Sequence, residues 1–198
     1  NSAITGAEAL LRWRRKEEMV IAADIIPLAE ESKLIMEIAL SVIDKVCSKI
    51  IQWKEAGYKS TPVSCNLSIM DLKFNNMPEK IIEIIESHKV DYSDIRFEFS
   101  ESAYEQEPEL INNFIKKMKK YGIKIGIEDY SNSFLPFKIF TESGFDYIKI
   151  DYSKINTNDG KMLTILDSVI DLTKTLGIEI IIKNIHDDEI IDKYVQNG

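Results

Sequence analysis

Cysteine is scarce in this chain, with Cys47 and Cys65 the two examples among 198 residues. Both lie in apolar segments without metal-ligand spacing. They therefore offer neither a zinc site nor a disulfide framework, and read as buried free thiols in a reducing compartment. Long hydrophobic runs are lacking too. No stretch reaches the ~18 apolar residues of a membrane span and no signal peptide is recognisable, so a cytoplasmic protein is expected. Positive charge is in deficit, with a net charge of -8. Contacts to a phosphate backbone need a basic face, so a nucleic-acid polymer is not expected as a partner. A small anion held by one or two placed cations remains compatible. No Pro-, Gly- or Ser-rich linker interrupts the chain, and residues 1–198 read as a single domain long enough for a real core. No glycine-rich phosphate loop follows the first strand-like segment, which argues against an open dinucleotide-binding sheet.

What the chain does contain is a serial alternation. Strand-like runs rich in β-branched and aromatic residues fall near 3–11, 62–68, 94–100, 123–129, 146–151 and 178–185. Amphipathic helical segments fall near 33–56, 78–88, 108–121, 161–176 and 187–197. Gly122 and Gly177 each close a helix just before a strand. This punctuation predicts one α/β domain with a largely parallel sheet, either a β/α barrel or a doubly wound sheet.

Polar residues gather at the C-terminal ends of these strands. Glu8 and Arg12 belong to the first, Asn66 and Ser68 to the second, and Glu98 and Glu101 to the third. Glu128 and Asp129 end the fourth, Lys149 and Asp151 the fifth, and Lys183 and Asn184 the sixth. In a barrel these ends meet at one mouth. Lys149 and Asp151 are two apart and share a face. Glu128 and Asp129 are adjacent and diverge unless the chain bends. The carboxylates of Glu8, Glu98, Glu128, Asp129 and Asp151, with the Asn66 amide, form a hard-oxygen set suited to Mg2+ or Mn2+. A single acid at a strand end is ordinarily solvated or caps the next helix, so residue types and spacing alone name no substrate.

Several motifs resemble those of the EAL domain family, bacterial hydrolases of cyclic di-GMP. "EALLR" (Glu8 to Arg12) matches the signature E-A-L-x-R, and "IIPLAEES" at 25–32 resembles "FIPLAEET". "CNLS" at 65–68 resembles "VNLS", "FEFSES" at 97–102 resembles "LEITES", and "YIKIDYS" at 147–153 resembles "LKIDRS". The resemblance implies a TIM-like β/α barrel with one antiparallel strand, two divalent metals at its mouth, and hydrolysis of one phosphodiester to the linear dinucleotide. It implies metal ligation by Glu8, Asn66, Glu98, Asp129 and Asp151, with Glu128 at a further ligand position. Lys149 would stand near the attacking water and Arg12 would contact phosphate, with Pro27 and Leu28 in the ligand-binding segment. Glu101 would brace the loop after the fourth strand. The family's first and last strands have no counterpart here, so a barrel incomplete at both ends is expected.

The match breaks at defined places. Where the family has "DDFGTGYSS", this chain has Glu128-Asp129-Tyr130-Ser131-Asn132-Ser133. The extra methylene of Glu128 displaces its carboxylate by ~1.5 Å, against metal–oxygen tolerances of a few tenths. Ser131 and Ser133 replace glycines that allow positive φ, and Leu135-Pro136 follows, so the loop and any homodimer built on it are expected to differ. The family's "VVAEGVE" is matched by Ile181 to His186, with Lys183 at the glutamate proposed as general base. An ammonium cannot accept a proton. Glu179 lies on the same face but ~13 Å back along the strand, and His186 reads as a solvated loop residue. The expectation is a degenerate EAL domain with weak or absent Mg2+ or Mn2+ binding. It would act in cyclic di-GMP signalling by binding the nucleotide, a partner protein or a fused signalling domain. An active phosphodiesterase giving linear pGpG is the alternative, and a pure protein-interaction domain the second.

Overall fold

The structure, a computed structural model, describes residues 4–74, 76–129, 143–155, 160–186, 190–192 and 194. Six parallel strands form one sheet. In spatial order they are β1 (Ala7–Ala9), β4 (Val63–Asn66), β5 (Ile95–Ser100), β6 (Lys124–Glu128), β7 (Tyr147–Asp151) and β8 (Glu179–Lys183). Each successive strand pairs with the one before it in the barrel order. Among the described residues β1 and β8 are the two edges, so the strands make an open arc of a TIM-like barrel rather than a closed ring. The family's antiparallel strand is not among these six.

Alternation along the strands separates two environments. On β5, Phe97 and Phe99 point outward and meet Phe114 of helix α6 (Pro108–Lys119) edge-on, at 6.0 and 5.5 Å between ring centroids. Helices α2 (Ile35–Glu55) and α4 (Met77–His88) cover the same outer face through Ile43, Cys47, Ile50, Met77, Ile81 and Ile85. Apolar residues at steps of three and four produce this stripe. Both cysteines are buried free thiols, Cys47 on α2 and Cys65 on β4. The inner face carries Arg96, Glu98, Lys124, Glu128, Tyr147, Lys149 and Asp151 instead, so the barrel interior is polar. Gly126 is required there. A Cβ at this position would lie 2.2 Å from the Tyr147 ring, so the absent side chain makes room for that tyrosine.

The expected strand at 3–11 is shorter than its sequence pattern. It breaks after Ala9, and the chain turns into an antiparallel hairpin, β2 (Arg12–Arg15) with β3 (Glu18–Ile21), reversing at Lys16 with φ 54°. Helix α1 (Ala22–Glu31) follows and contains Pro27. That proline forfeits a helical hydrogen bond, so α1 depends on docking Ile25 and Ala29 into the core. Helix α3 (Ile69–Leu72) and helix α5 (Glu101–Gln106) are short turns after β4 and β5, and helix α7 (Gly160–Leu176) precedes β8. Of the helix expected at 187–197, residues 190–192 and 194 are helical and the rest lie outside the described residues. No described helix is long and apolar enough to cross a membrane.

Candidate metal and phosphate site

The mouth is built in tiers by strand register. At the far end of the barrel, Glu179 lies 3.5 Å from Arg96 and 3.4 Å from Lys124, so it is committed away from the mouth. Above that tier, the Tyr147 hydroxyl donates to Glu98 Oε1 at 2.7 Å, and its ring lies under the Arg96 guanidinium. Glu98 is fully buried. Its other oxygen accepts from Lys149 Nζ at 2.7 Å, and Lys149 also reaches Glu8 Oε2 at 2.9 Å. Asn66 Nδ2 donates to Glu8 Oε1 at 2.9 Å.

These contacts set the protonation states. Burial opposes ionisation of Glu8, yet the bonds from Lys149 and Asn66 hold its carboxyl below the usual range. Burial likewise disfavours the Lys149 ammonium, and the two carboxylates outweigh it and raise its pKa.

Lys183 stands at the top tier. Its Nζ lies 3.0 Å from Asp129 Oδ1 and 3.7 Å from Glu128 Oε2. Partial desolvation works against its charge, but Asp129, Glu128 and Glu8 prevail and hold its pKa above the usual lysine value. A lysine so placed is a fixed cation. Lys154 adds a second ammonium 3.1 Å from Asp129 Oδ2. The Asp129 carboxyl is partly desolvated, but both lysines keep it below its ordinary pKa. Glu128 goes the other way: burial pushes its pKa up, and Glu98, Glu8 and Asp129 add to that against the pull of Lys183.

Asp129 has φ 58°. The chain turns there, so Glu128 continues the inward alternation of β6 while Asp129 swings to the two lysines. Among the described residues, the carboxylates whose ligand atoms lie within 4.8 Å of one another are consequently Glu8, Glu98 and Glu128. Asp151, on β7 beside Lys183 in register, is occupied differently. It accepts from Ser153 Oγ at 2.6 Å and from Asn184 Nδ2 at 2.9 Å. Burial opposes its ionisation, yet these bonds and the Lys183 charge keep its carboxyl low.

The donor set therefore fits one divalent ion at Glu8, Glu98 and Glu128. Lys183 stands between Glu128 and Asp129, so its ammonium and a cation would compete for these two carboxylates. Among the described residues, five carboxylates (Glu8, Glu98, Glu128, Asp129, Asp151) face three ammonium groups (Lys149, Lys154, Lys183), which leaves the charge of one divalent cation.

Other expected site residues fall elsewhere. Arg12 is exposed on β2, donates to its neighbour's carbonyl at Leu11, and shares a cleft with Glu8. Pro27 and Leu28 are exposed on α1. Glu101 is buried at the start of α5, but the loop it would brace, with Ser131, Ser133, Leu135 and Pro136, lies outside the described residues. His186 is exposed. Residue spacing did not single out Tyr147 and Lys154. Tyr147 shares the period-two phase of Lys149 and Asp151, and that phase is the signal that could have found it.

A family model described as the EAL domain matches residues 1–197. The chain belongs to the EAL domain family. Two relatives from Pseudomonas aeruginosa are the bifunctional diguanylate cyclase/cyclic di-GMP phosphodiesterase MucR and the cyclic di-GMP phosphodiesterase PA2567. MucR is 23% identical over 188 residues, covering 93% of this chain and 27% of that protein. PA2567 is 25% identical over 184 residues, covering 91% of this chain and 31% of that protein. This EAL domain thus spans under a third of either relative. Among solved structures, a MucR phosphodiesterase complex with c-di-GMP superposes with a TM-score of 0.89 at 22% identity, over 100% of this chain and 81% of that one. The FimX EAL domain of Xanthomonas citri in complex with c-di-GMP gives 0.85 at 17% identity, over 96% and 76%.

Near this mouth, Asp71 caps α3, where Oδ2 accepts from Ser68 N at 2.8 Å. Burial pushes its carboxyl up to about 7; the Ser68 bond opposes this and the Glu30 charge adds to it. The unfolded chain releases this proton near pH 3.9, so between there and pH 7 folding requires holding it, and stability falls as pH rises. Above pH 7 the folded protein carries the buried charge and the cost stays constant. The difference in stability between Asp71→Asn and the parent should grow across this window to about 4 kcal/mol at most. Chemical denaturation at pH 4.5 and pH 8 measures it, and a pH-independent difference contradicts the assignment.

Proposed function

We infer that this EAL domain is a regulatory module in cyclic di-GMP signalling that binds the dinucleotide without efficient hydrolysis. The observation that carries the reading is Lys183, held between Asp129 and Glu128 at the position of the expected general base. A base must take a proton from the attacking water, and a lysine stabilised as an ammonium by surrounding acids cannot. A general base contributes about 10²–10⁴-fold. A divalent ion at Glu8, Glu98 and Glu128 would polarise a phosphoryl oxygen. Lys149 and Lys183 are two ammonium groups at the mouth, each already paired with carboxylates, and Arg12 offers a guanidinium at the rim. A divalent ion at the acidic cluster and the Arg12 guanidinium would together supply the charge for anion recognition.

A second reading, slow hydrolysis to linear pGpG, is favoured by the convergence of Glu8, Glu98 and Glu128 around Lys149. Calorimetric titration with cyclic di-GMP, in EDTA and in Mn2+, tests the choice. Binding in both, stronger in Mn2+ and without turnover, is the expected result. Binding confined to Mn2+ and accompanied by turnover supports the enzyme. Absence of binding in either moves a protein-interaction role, with a partner protein or fused domain, to first place.

A further inference from the structure

Glu98, Gly126 and Tyr147 occupy one register row across β5, β6 and β7, with the glycine in the middle. Neighbouring strands lie about 4.8 Å apart, so the backbones of Glu98 and Tyr147 are about 10 Å apart. A tyrosine side chain spans most of that gap, and the glycine between leaves its path open. A Cβ at Gly126 would collide with the Tyr147 ring. The hydroxyl so delivered donates to Glu98 Oε1 at 2.7 Å and lies 3.3 Å from Ser64 Oγ, which can donate to it in turn. Lys149 takes the other oxygen, Oε2, at 2.7 Å. Glu98 and Tyr147 are both fully buried. An ionised carboxylate has about four lone-pair sites. Glu98 therefore keeps acceptor capacity on both oxygens while its plane is fixed by a donor on each.

We propose that Tyr147 is a positioning residue for a divalent ion at Glu8, Glu98 and Glu128, acting through Glu98 by fixing the orientation of its carboxylate. The inference rests on the fit of one ion to this cluster and adds a residue that itself offers the ion no ligand. Lys149 does not fix Glu98 alone. It divides between Glu8 and Glu98, and a donor on one oxygen leaves the broad terminal torsion of a glutamate free to turn. The neutral hydroxyl holds Oε1 without cancelling its charge, whereas a second ammonium there would compete with the cation. Partners that hydrogen-bond a ligating carboxylate orient it, and losing one typically costs about 10–100-fold in metal affinity. Mg2+ demands near-ideal octahedral geometry, while Ca2+ accepts an irregular shell. A fixed carboxylate therefore matters more to Mg2+ than to Ca2+.

Tyr147→Phe keeps the ring over Gly126 and removes the hydroxyl alone. Direct titration should give one Mn2+ per parent chain, and binding weaker by about tenfold or more in the variant. Displacement of the bound Mn2+ by Mg2+ and by Ca2+ should show Mg2+ affinity falling further than Ca2+ affinity. Ile85→Val, in the outer core on α4, controls for lost stability and should leave all three affinities unchanged. Should Tyr147→Phe not fold, Ser64→Ala, which withdraws the hydroxyl behind Tyr147, should likewise weaken Mg2+ more than Ca2+. A folded Tyr147→Phe that binds Mn2+ as tightly as the parent or as Ile85→Val, or that loses Mg2+ and Ca2+ equally, overturns the proposal while the ion site stands. So does a Ser64→Ala that leaves both affinities unchanged where Tyr147→Phe cannot be read. A parent that binds no Mn2+ overturns the ion site and the role of Tyr147 with it.

Discussion

Replacing Lys183 by glutamate, together with Glu128→Asp, is expected to raise Mn2+ affinity by orders of magnitude. The exchange at 183 turns a cation into an anion 3.0 Å from Asp129 and 3.7 Å from Glu128. At an effective dielectric of ~20, one unit charge at ~4 Å is worth about 4 kcal/mol, and the exchange alters two units. The space between Glu128 and Asp129 becomes available to a second ion, and Glu128→Asp removes the extra methylene. Direct Mn2+ titration of parent and double variant measures the gain. Catalysis should recover less, because Ser131 and Ser133 remain in place of the family's glycines. If the double variant binds Mn2+ no better than the parent, these two residues do not limit metal binding.

Lys149→Met is expected to destabilise the fold by about 3–5 kcal/mol. Lys149 is the ammonium that compensates Glu98, whose carboxylate is fully buried. Removing it leaves the Tyr147 hydroxyl and a buried charge without a counter-ion. For a domain of this size that corresponds to a fall in melting temperature on the order of 10 °C. Adding Glu98→Gln should recover much of the loss, since the amide still accepts from Tyr147 and needs no counter-ion. Additive losses in the double variant would show that the pair is not coupled.

The parallel sheet was legible because its strands alternate with amphipathic helices at regular spacing, and β5, β6 and β7 fall within one residue of the ranges their composition predicts. The mouth was legible because chemistry-bearing residues recur at strand ends. What failed was anything decided by backbone direction. The first strand-like run conceals a break after Ala9, and the hairpin that follows lacks the Asn-Gly turn that would announce it. Pro27 disguises α1, since a proline ordinarily marks where a helix stops. Asp129 turns at positive φ, which assigns Glu128 rather than Asp129 to the cluster with Glu8 and Glu98. Lys154 reaches Asp129 from a turn after β7, a contact that no strand periodicity encodes. Asp71 reads as the polar side of a short helix, and only the surrounding helices make it buried.

The central claim is that Lys183 disables hydrolysis in a barrel whose mouth is otherwise assembled. The most direct measurement is the rate of linear dinucleotide formation from cyclic di-GMP in saturating Mn2+. No product above the uncatalysed background is the predicted result. Turnover on the order of 1 s⁻¹, within the ordinary range for enzymes, would contradict it and make this EAL domain a working phosphodiesterase.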